Sequence, residues 1–303
     1  MERAQPANTR HPRPGGGWGV GAHMCLILVA WQAHPDYPLV VAANRDEFFA
    51  RQTAGAAFWN EAPRMLAGRD LEAGGTWLGI TRRGRFAALT NYRDPASHKS
   101  AAPSRGRLVA DFLQGDRSID DYLDALDSSA YNGFNLLLGD GNRLVAFSNV
   151  SGARHELVPG VHGLSNHLLD TPWPKVGAGK TALAAALAAL PDETALFRLL
   201  CDDRIHADET LPVTGVSLEW ERLLSAAFIR GRDYGTRCST VVTVGTGPSQ
   251  ADAPSVGGSE PILRARGAIH VGADRTVSFD EQSWLPGGGR GERRRFRFRS
   301  GPT

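Results

Sequence analysis

The sequence predicts an α+β fold built from antiparallel sheets in layers. Three observations lead there. Apolar runs of strand length come in consecutive pairs, separated by short turns bearing Gly, Asp or Pro. Helical periodicity comes in blocks between those pairs. The blocks run strands, helices, strands, helices, strands, without the strand–helix alternation of a doubly wound sheet.

Taken in order, "CLILVAW" (25–31) and "PLVVAAN" (38–44) are apolar runs joined by "QAHPDYP", whose prolines and aspartate are turn chemistry, so they read as a hairpin. "TWLGIT" (76–81) and "RFAALTN" (85–91) form a second pair around Gly84. In 105–115, Leu108, Val109, Phe112 and Leu113 share a helical face and Gly115 stops the run. Residues 118–127 add a helix with Ser118 as its cap. "FNLLLGD" (134–140) and "RLVAFSN" (143–149) return to strands around an Asp-Gly-Asn turn, and "HELVPG" and "VHGLSN" add two more. "PKVGAGKTALAAALAAL" (174–190) is the strongest helix, ended by Pro191; "DETALFRLLCDD" and 217–230 are further helices. Residues 239–245, 267–273 and 276–282 read as closing strands, with 246–261 a flexible polar loop.

Composition limits the function classes. The chain has 303 residues, 42% hydrophobic and 22% charged, ordinary for a globular protein. Its net charge is +2, yet residues 1–23 carry three arginines and 286–303 carry six, against one glutamate in each, so the body between them is acidic. An acidic body lacks a nucleic-acid footprint, and no nucleic-acid partner is expected. Residues 286–303 are expected as a disordered, solvated Arg-rich tail, and 1–23, rich in Gly and Pro, as a disordered extension or a mis-assigned start, leaving one domain over 24–285. Three cysteines, Cys25, Cys201 and Cys238, with no CxxC pair, argue against a disulfide framework or a structural zinc, so no metal is expected. No apolar run approaches the roughly 20 residues of a membrane span. A cytoplasmic location follows as the expectation.

Two motifs invite chemistry. "GAGKT" (177–181) fails as a phosphate loop, because the pattern needs glycine where Pro174 stands. Cys25, directly after Met24, is different. As the first residue of a processed chain, it would carry an α-amine of pKa about 7.7–8.0 beside a thiol of about 8.5, a nucleophile with its own base. As an internal residue, it is a buried strand cysteine. Polar groups gather at the ends of neighbouring strands: Asn44, Arg45, Asp46 and Glu47 in "AANRDEF", Asn91 in "ALTNYRDP", Asn166 in "GLSNHLLDTPWPK" and Arg237 in "GTRCSTVV". Each alone is also turn chemistry. Together they make a set suited to acyl transfer from an amide. In "GRDLEAGGTWLG", Arg69, Asp70 and Trp77 either line a pocket or belong to a glycine-shaped turn with a packed Trp.

"MCLILVAW", "AANRDEFFAR", "LAGRDLEAGGTWLGIT", "FAALTNYRDP", "GLSNHLLDTPWPK" and "YGTRCSTVV" together resemble the NRDE family, named for its Asn-Arg-Asp-Glu motif, which includes the eukaryotic transport and Golgi organisation protein. The resemblance runs from Met24 to about residue 284, and residues 1–23 depart from it. That family is similar to N-terminal nucleophile (Ntn) hydrolases of the choloylglycine and penicillin V acylase type. The resemblance implies a four-layer αββα sandwich and hydrolysis of a linear amide without a required cofactor. It implies Cys25 as nucleophile and amine, Arg45 and Asp46 as the polar pair, Asn91 and Asn166 for the oxyanion and the amine, and Arg237 as a late arginine. The Arg45–Asp46 spacing is closer than in the acylases. Asn44, Glu47, Arg69, Asp70 and Trp77 are expected to bind substrate. A second expectation, also from the resemblance, is a haem- or lipid-binding trafficking role on the same fold; for haem, Cys25, His34 and His167 are the axial candidates.

Overall fold

The structure, a computed structural model, describes residues 24–246 and 275–301. The first hairpin is β1 (Met24–Trp31) with β2 (Leu39–Phe48), in the register Cys25 opposite Arg45 and Met24 opposite Asp46. A second hairpin follows, β3 (Thr53–Trp59) with β4 (Ala62–Asp70). Then come β5 (Leu78–Thr81) and β6 (Phe86–Asn91), joined at Thr81–Arg85 by a turn whose Gly84 has φ +79°. The helices α1 (Gly106–Gln114) and α2 (Ile119–Asp124) lie between β6 and β7 (Phe134–Gly139), and β8 (Leu144–Ser148), β9 (Arg154–Glu156) and β10 (Gly160–Leu164) follow. Ser118 caps α2 as expected, accepting from the Asp121 N–H. A helical block, α3 (Pro174–Ala186), α4 (Thr194–Leu200) and α5 (Leu218–Leu224), precedes β11 (Tyr234–Thr246). β12 (Arg275–Leu285) and β13 (Gly289–Ser300) end the described chain.

Two antiparallel sheets result, with strand orders β10-β1-β2-β11-β12-β13 and β3-β4-β5-β6-β7-β8-β9. Their facing sides make one core. Ile27, Val29, Val41, Val242 and Phe279 of the first sheet meet Leu66, Leu78, Ile80, Phe86 and Leu137 of the second. The outer face of the first sheet, with Leu26, Leu28, Val40 and Ala42, packs on Val176 and Leu183 of α3 and on Leu196 and Leu200 of α4. The outer face of the second, with Met65, Ala87, Leu136 and Leu138, packs on Leu108, Phe112 and Leu113 of α1 and Ile119 of α2. Layers therefore run helix, sheet, sheet, helix, the αββα order expected. With both faces covered, strands such as β6 and β7 are buried at every position, so they read as continuous apolar runs rather than alternating ones. The second glycine of "GAGKT" serves this packing: a Cβ on Gly179 would lie 2.7 Å from Leu28 Cδ1, so glycine lets α3 press onto β1.

The expectation of a disordered tail over 286–303 is overturned. Phe296 and Phe298 alternate with Arg295, Arg297 and Arg299, the period of a half-buried strand. The phenyl rings stack edge-on against Phe58, at 5.9 and 5.6 Å. On the other face, the buried Asp280 carboxylate accepts from Arg293 at 2.9 and 2.7 Å and from Arg295 at 2.8 Å. Buried acids and aromatic partners on β12 and β3 hold the arginines in a strand, which net charge alone does not reveal. The folded body thus extends past residue 285. Residues 1–23, nearly all of the loop at 246–261 and the strand expected at 267–273 lie outside the described residues.

Candidate active site

The site grows from the end of β2. Strand alternation points Arg45 and Glu47 to one face and Asn44 and Asp46 to the other. Across β1, β2 and β11, Cys25, Arg45 and Cys238 are register neighbours, so two thiols flank one guanidinium. This row opens into a cavity of about 700 Å³ at one end of the sandwich. Its wall includes Cys25, Arg45, Asp46, Glu47, Arg69, Asp70, Trp77, Asn91 and Arg237, so nine of the expected site residues meet in one place.

Cys25 is 6% exposed. Burial, aided by the Asp46 charge, pushes its thiol up to about 12, while the Arg45 guanidinium and the Asp46 N–H pull the other way. As an internal residue it is therefore a protonated thiol at neutral pH. Asp46 is buried and its carboxyl is pushed up to about 6, burial outweighing the Lys175 charge and the Thr236 hydrogen bond. Its Oδ1 accepts from Thr236 Oγ1 at 2.6 Å. Its Oδ2 is buried with no hydrogen-bond partner among the described residues, and so is Arg45 Nη1. Buried polar atoms of this kind are uncommon in folded proteins, where a protein group or an ordered water normally pairs them.

The other wall residues have structural partners too. Glu47 accepts from the Phe48 N–H at 2.8 Å and pairs with Arg45 at 3.5 Å and Arg51 at 3.8 Å. Asp70 both shapes and lines: Oδ1 accepts from the Glu72 and Ala73 N–H groups, and Oδ2 pairs with Arg51 at 2.7 Å. Burial would raise its carboxyl, but the Ala73 N–H and the Arg51 guanidinium hold it below the usual range. The turn and pocket readings of "GRDLEAGGTW" are thus both true of the geometry. Gly75 has its own reason, since a Cβ there would lie 2.4 Å from the Gly106 carbonyl carbon, where α1 begins. Arg69 pairs with Glu61 at 2.7 Å and lies over the Trp59 ring, and Trp77 packs in the core while showing an edge to the cavity. Arg237 donates to the Phe48 and Arg51 carbonyls at 2.8 and 2.9 Å and to Thr53 Oγ1, fixing the β2–β3 corner.

Two expected site residues do not reach the wall. Asn44 faces the helices: Nδ2 donates to the Leu200 and Ala227 carbonyls at 2.8 and 2.7 Å, and Oδ1 accepts from Ser239 Oγ at 2.6 Å. Asn166 donates from Nδ2 to the Asn91 carbonyl at 2.9 Å, so it positions Asn91 rather than lining the cavity. Asn44→Ala removes three buried hydrogen bonds at once and is expected to cost about 2–4 kcal/mol. A urea midpoint shift at unchanged slope checks this, and unaltered stability would return Asn44 to a ligand role. Of the axial candidates for haem, His34 sits in the β1–β2 turn and His167 packs between Tyr92 and Trp173, with Nδ1 against Thr171. Cys25 is the one of the three on the cavity wall.

Sequence reasoning missed Lys175, Arg105 and Thr236. Lys175 is 3% exposed, donates to the Leu224 carbonyl at 2.9 Å, and is brought down to about 8 by burial, with Asp46 the chief charge opposing that. Arg105, on the cavity wall, is lowered to about 10 by burial, opposed first by the thiolate form of Cys25 and then by Glu47. A lysine inside "TPWPK", at an apolar helix start, was the one available signal. Among the described residues, no cluster of three or more His, Cys, Asp or Glu side chains is arranged to hold a metal, and no helix is long and apolar enough to cross a membrane.

Residues 24–249 match the family described as Transport and Golgi organisation 2. The chain is 38% identical over 248 residues to a Transport and Golgi organization protein 2 homolog of Bos taurus, spanning 73% of this chain and 88% of that one. It is 32% identical over 251 residues to Transport and Golgi organization protein 2 of Drosophila melanogaster, with the same coverage. Among solved structures, it is similar to the Caenorhabditis elegans ortholog of N-acylethanolamine-hydrolyzing acid amidase, at a TM-score of 0.39 and 13% identity over 72% of this chain and 92% of that one.

Proposed function

This chain belongs to the Transport and Golgi organisation 2 family, and we propose that it is a hydrolase of linear amide C–N bonds whose nucleophile is Cys25 at the start of a processed chain. The observation that carries this reading is the buried, unpartnered Asp46 Oδ2. Met24 pairs with Asp46 across the strand register, so cleavage between Met24 and Cys25 frees an α-amine beside that carboxylate. An ammonium there supplies the missing hydrogen bond and a positive charge that lowers both the Asp46 carboxyl and the Cys25 thiol.

The steps follow from the groups on the wall. The amine takes the thiol proton, and the thiolate attacks the amide carbonyl. Asn91 and a backbone N–H stabilise the oxyanion. The ammonium returns its proton to the leaving nitrogen, the C–N bond breaks, and water hydrolyses the thioester, giving a carboxylic acid and regenerating the thiol. Arg45, between the two thiols, holds the anionic sulfur.

The test is the intact mass of the protein purified from its native host, followed by incubation with a panel of N-acyl amides. A chain beginning at Cys25 that accumulates an acyl adduct on that residue supports the reading. A chain retaining residues 1–24 leaves an amide nitrogen where the base is needed and sinks it. A second reading, a carrier of an anionic amphiphile such as a lipid or haem, is favoured by Arg105 and Arg237 on the cavity wall, whose guanidinium groups donate to backbone carbonyls rather than to carboxylates. It predicts saturable binding of haemin or lipid with residues 1–24 retained and no adduct formed.

A further inference from the structure

A second cavity, of about 230 Å³, lies against the first and shares His98, Lys99, Arg105 and Asn132 with it. Its character is different. Tyr92, Tyr131, Val150, Val216, Trp220 and Leu224 supply an aromatic and aliphatic lining. Two residues of this lining each carry a polar atom that is buried and without a hydrogen-bond partner among the described residues, Arg93 Nε and His98 Nε2. The Arg93 side chain is 6% exposed. Its Nη1 is spent on Glu221 at 2.6 Å and approaches Thr214 Oγ1 at 3.4 Å, which leaves the Nε–H as an unused donor. A buried guanidinium N–H without an acceptor is costly, about 1–3 kcal/mol, so an acceptor brought by a ligand has a ready place.

Charge narrows the class. Glu221 is engaged by Arg93 and Thr214, and Asp94 accepts from the Ser97 N–H. Neither Lys99 nor Arg105 has an ion-pair partner among the described residues: Lys99 donates to the Ser129 carbonyl and Arg105 to the Gly133 carbonyl. The wall therefore holds surplus positive charge around an apolar interior. The volume is below the roughly 300 Å³ of ordinary small-molecule sites, so the occupant is small. We propose that this second cavity is a binding site for a small monocarboxylate with an aromatic or branched apolar body, its carboxylate accepting from Arg93 Nε and facing His98. The site does not require Cys25 to be a nucleophile.

Isothermal titration of the full chain with 3-phenylpropionate tests this, beside the methyl ester of the same acid. Val150 is 49% exposed at the cavity rim, so Val150→Trp fills the space without disturbing the core. The acid is expected to bind saturably. Val150→Trp weakens it at least tenfold, the uncharged ester binds at least tenfold more weakly, and Cys25→Ser, in the neighbouring cavity, leaves affinity within twofold. Absence of binding overturns the proposal. So does affinity unchanged by Val150→Trp, which places the acid elsewhere, or equal affinity for the ester, which removes the carboxylate from recognition. Loss of binding in Cys25→Ser assigns the acid to the first cavity and overturns it as well.

Discussion

Glu221→Gln is expected to destabilise the protein by about 3–5 kcal/mol, the cost of leaving a buried charge without its partner. Arg93 and Glu221 lie 2.6 Å apart, with side chains 6% and 4% exposed. Glu221 Oε1 also accepts from the Thr214 N–H at 3.0 Å and from its hydroxyl at 2.5 Å, so one carboxylate closes three contacts. Burial brings Arg93 down to about 10 even with Glu221 in place. At neutral pH the guanidinium stays charged, so removing the carboxylate leaves a cation in a low-dielectric site. The effect reaches the wall of the first cavity. The Arg93 N–H donates to the Asn166 carbonyl, and Asn166 in turn holds the carbonyl of Asn91. Replacing both Arg93 and Glu221 by Met is expected to restore most of the loss, since a well-packed apolar pair avoids the desolvation altogether. Urea unfolding of the three variants measures this. A Glu221→Gln loss under about 1 kcal/mol would mean that solvent reaches the pair.

The hairpins were legible because their turns announce themselves. Gly84 has positive φ in the structure, and so does Gly141 of the Asp-Gly-Asn turn. The hairpin of β3 and β4 carried no such signal. Its strands meet at Asn60–Glu61, and β3 is mostly small residues, because Ala56 and Gly55 lie under Glu281 and Arg294. β13 was hidden by its charge: the arginines that suggest a solvated tail are the ones that reach Asp280. The site shows the same division. Cys25, Arg45 and Asp46 were legible because two strands joined by a hairpin bring them opposite each other. Lys175 and Thr236 meet Asp46 only through distant folding of the chain, which local pattern does not encode. Asn44 misled for a simpler reason. One step along a strand reverses the face, and in a motif of four consecutive polar residues nothing marks Asn44 as the one that turns to the helices while Arg45, Asp46 and Glu47 border the cavity.

Cys25 in a chain that begins there is expected to be alkylated by iodoacetamide at pH 7 about a hundredfold faster than in a chain retaining residues 1–24. With residues 1–24 in place the thiol is pushed up to about 12 by burial and by Asp46, so only about one molecule in 10⁵ is thiolate at pH 7. A free α-amine beside it brings the thiol back to about 8.5 or below, where a few per cent is thiolate. The more acidic thiolate is the weaker nucleophile, which takes back somewhat under half of that gain on a logarithmic scale. The sign with pH differs as well. In the longer chain the rate climbs tenfold per pH unit throughout the accessible range, whereas in the chain starting at Cys25 it levels off near pH 8–9. Asp46→Asn is expected to abolish most of the acceleration in the shorter chain, where the carboxylate holds the ammonium against the thiolate, and to speed the longer one modestly, where the Asp46 charge helps to keep the thiol protonated. Cys25→Ser in each chain subtracts the signal of Cys201 and Cys238, the other free thiols. Equal rates in the two chains would show that the amine does not reach the sulfur, and Cys25 would then be a core residue that happens to border a cavity.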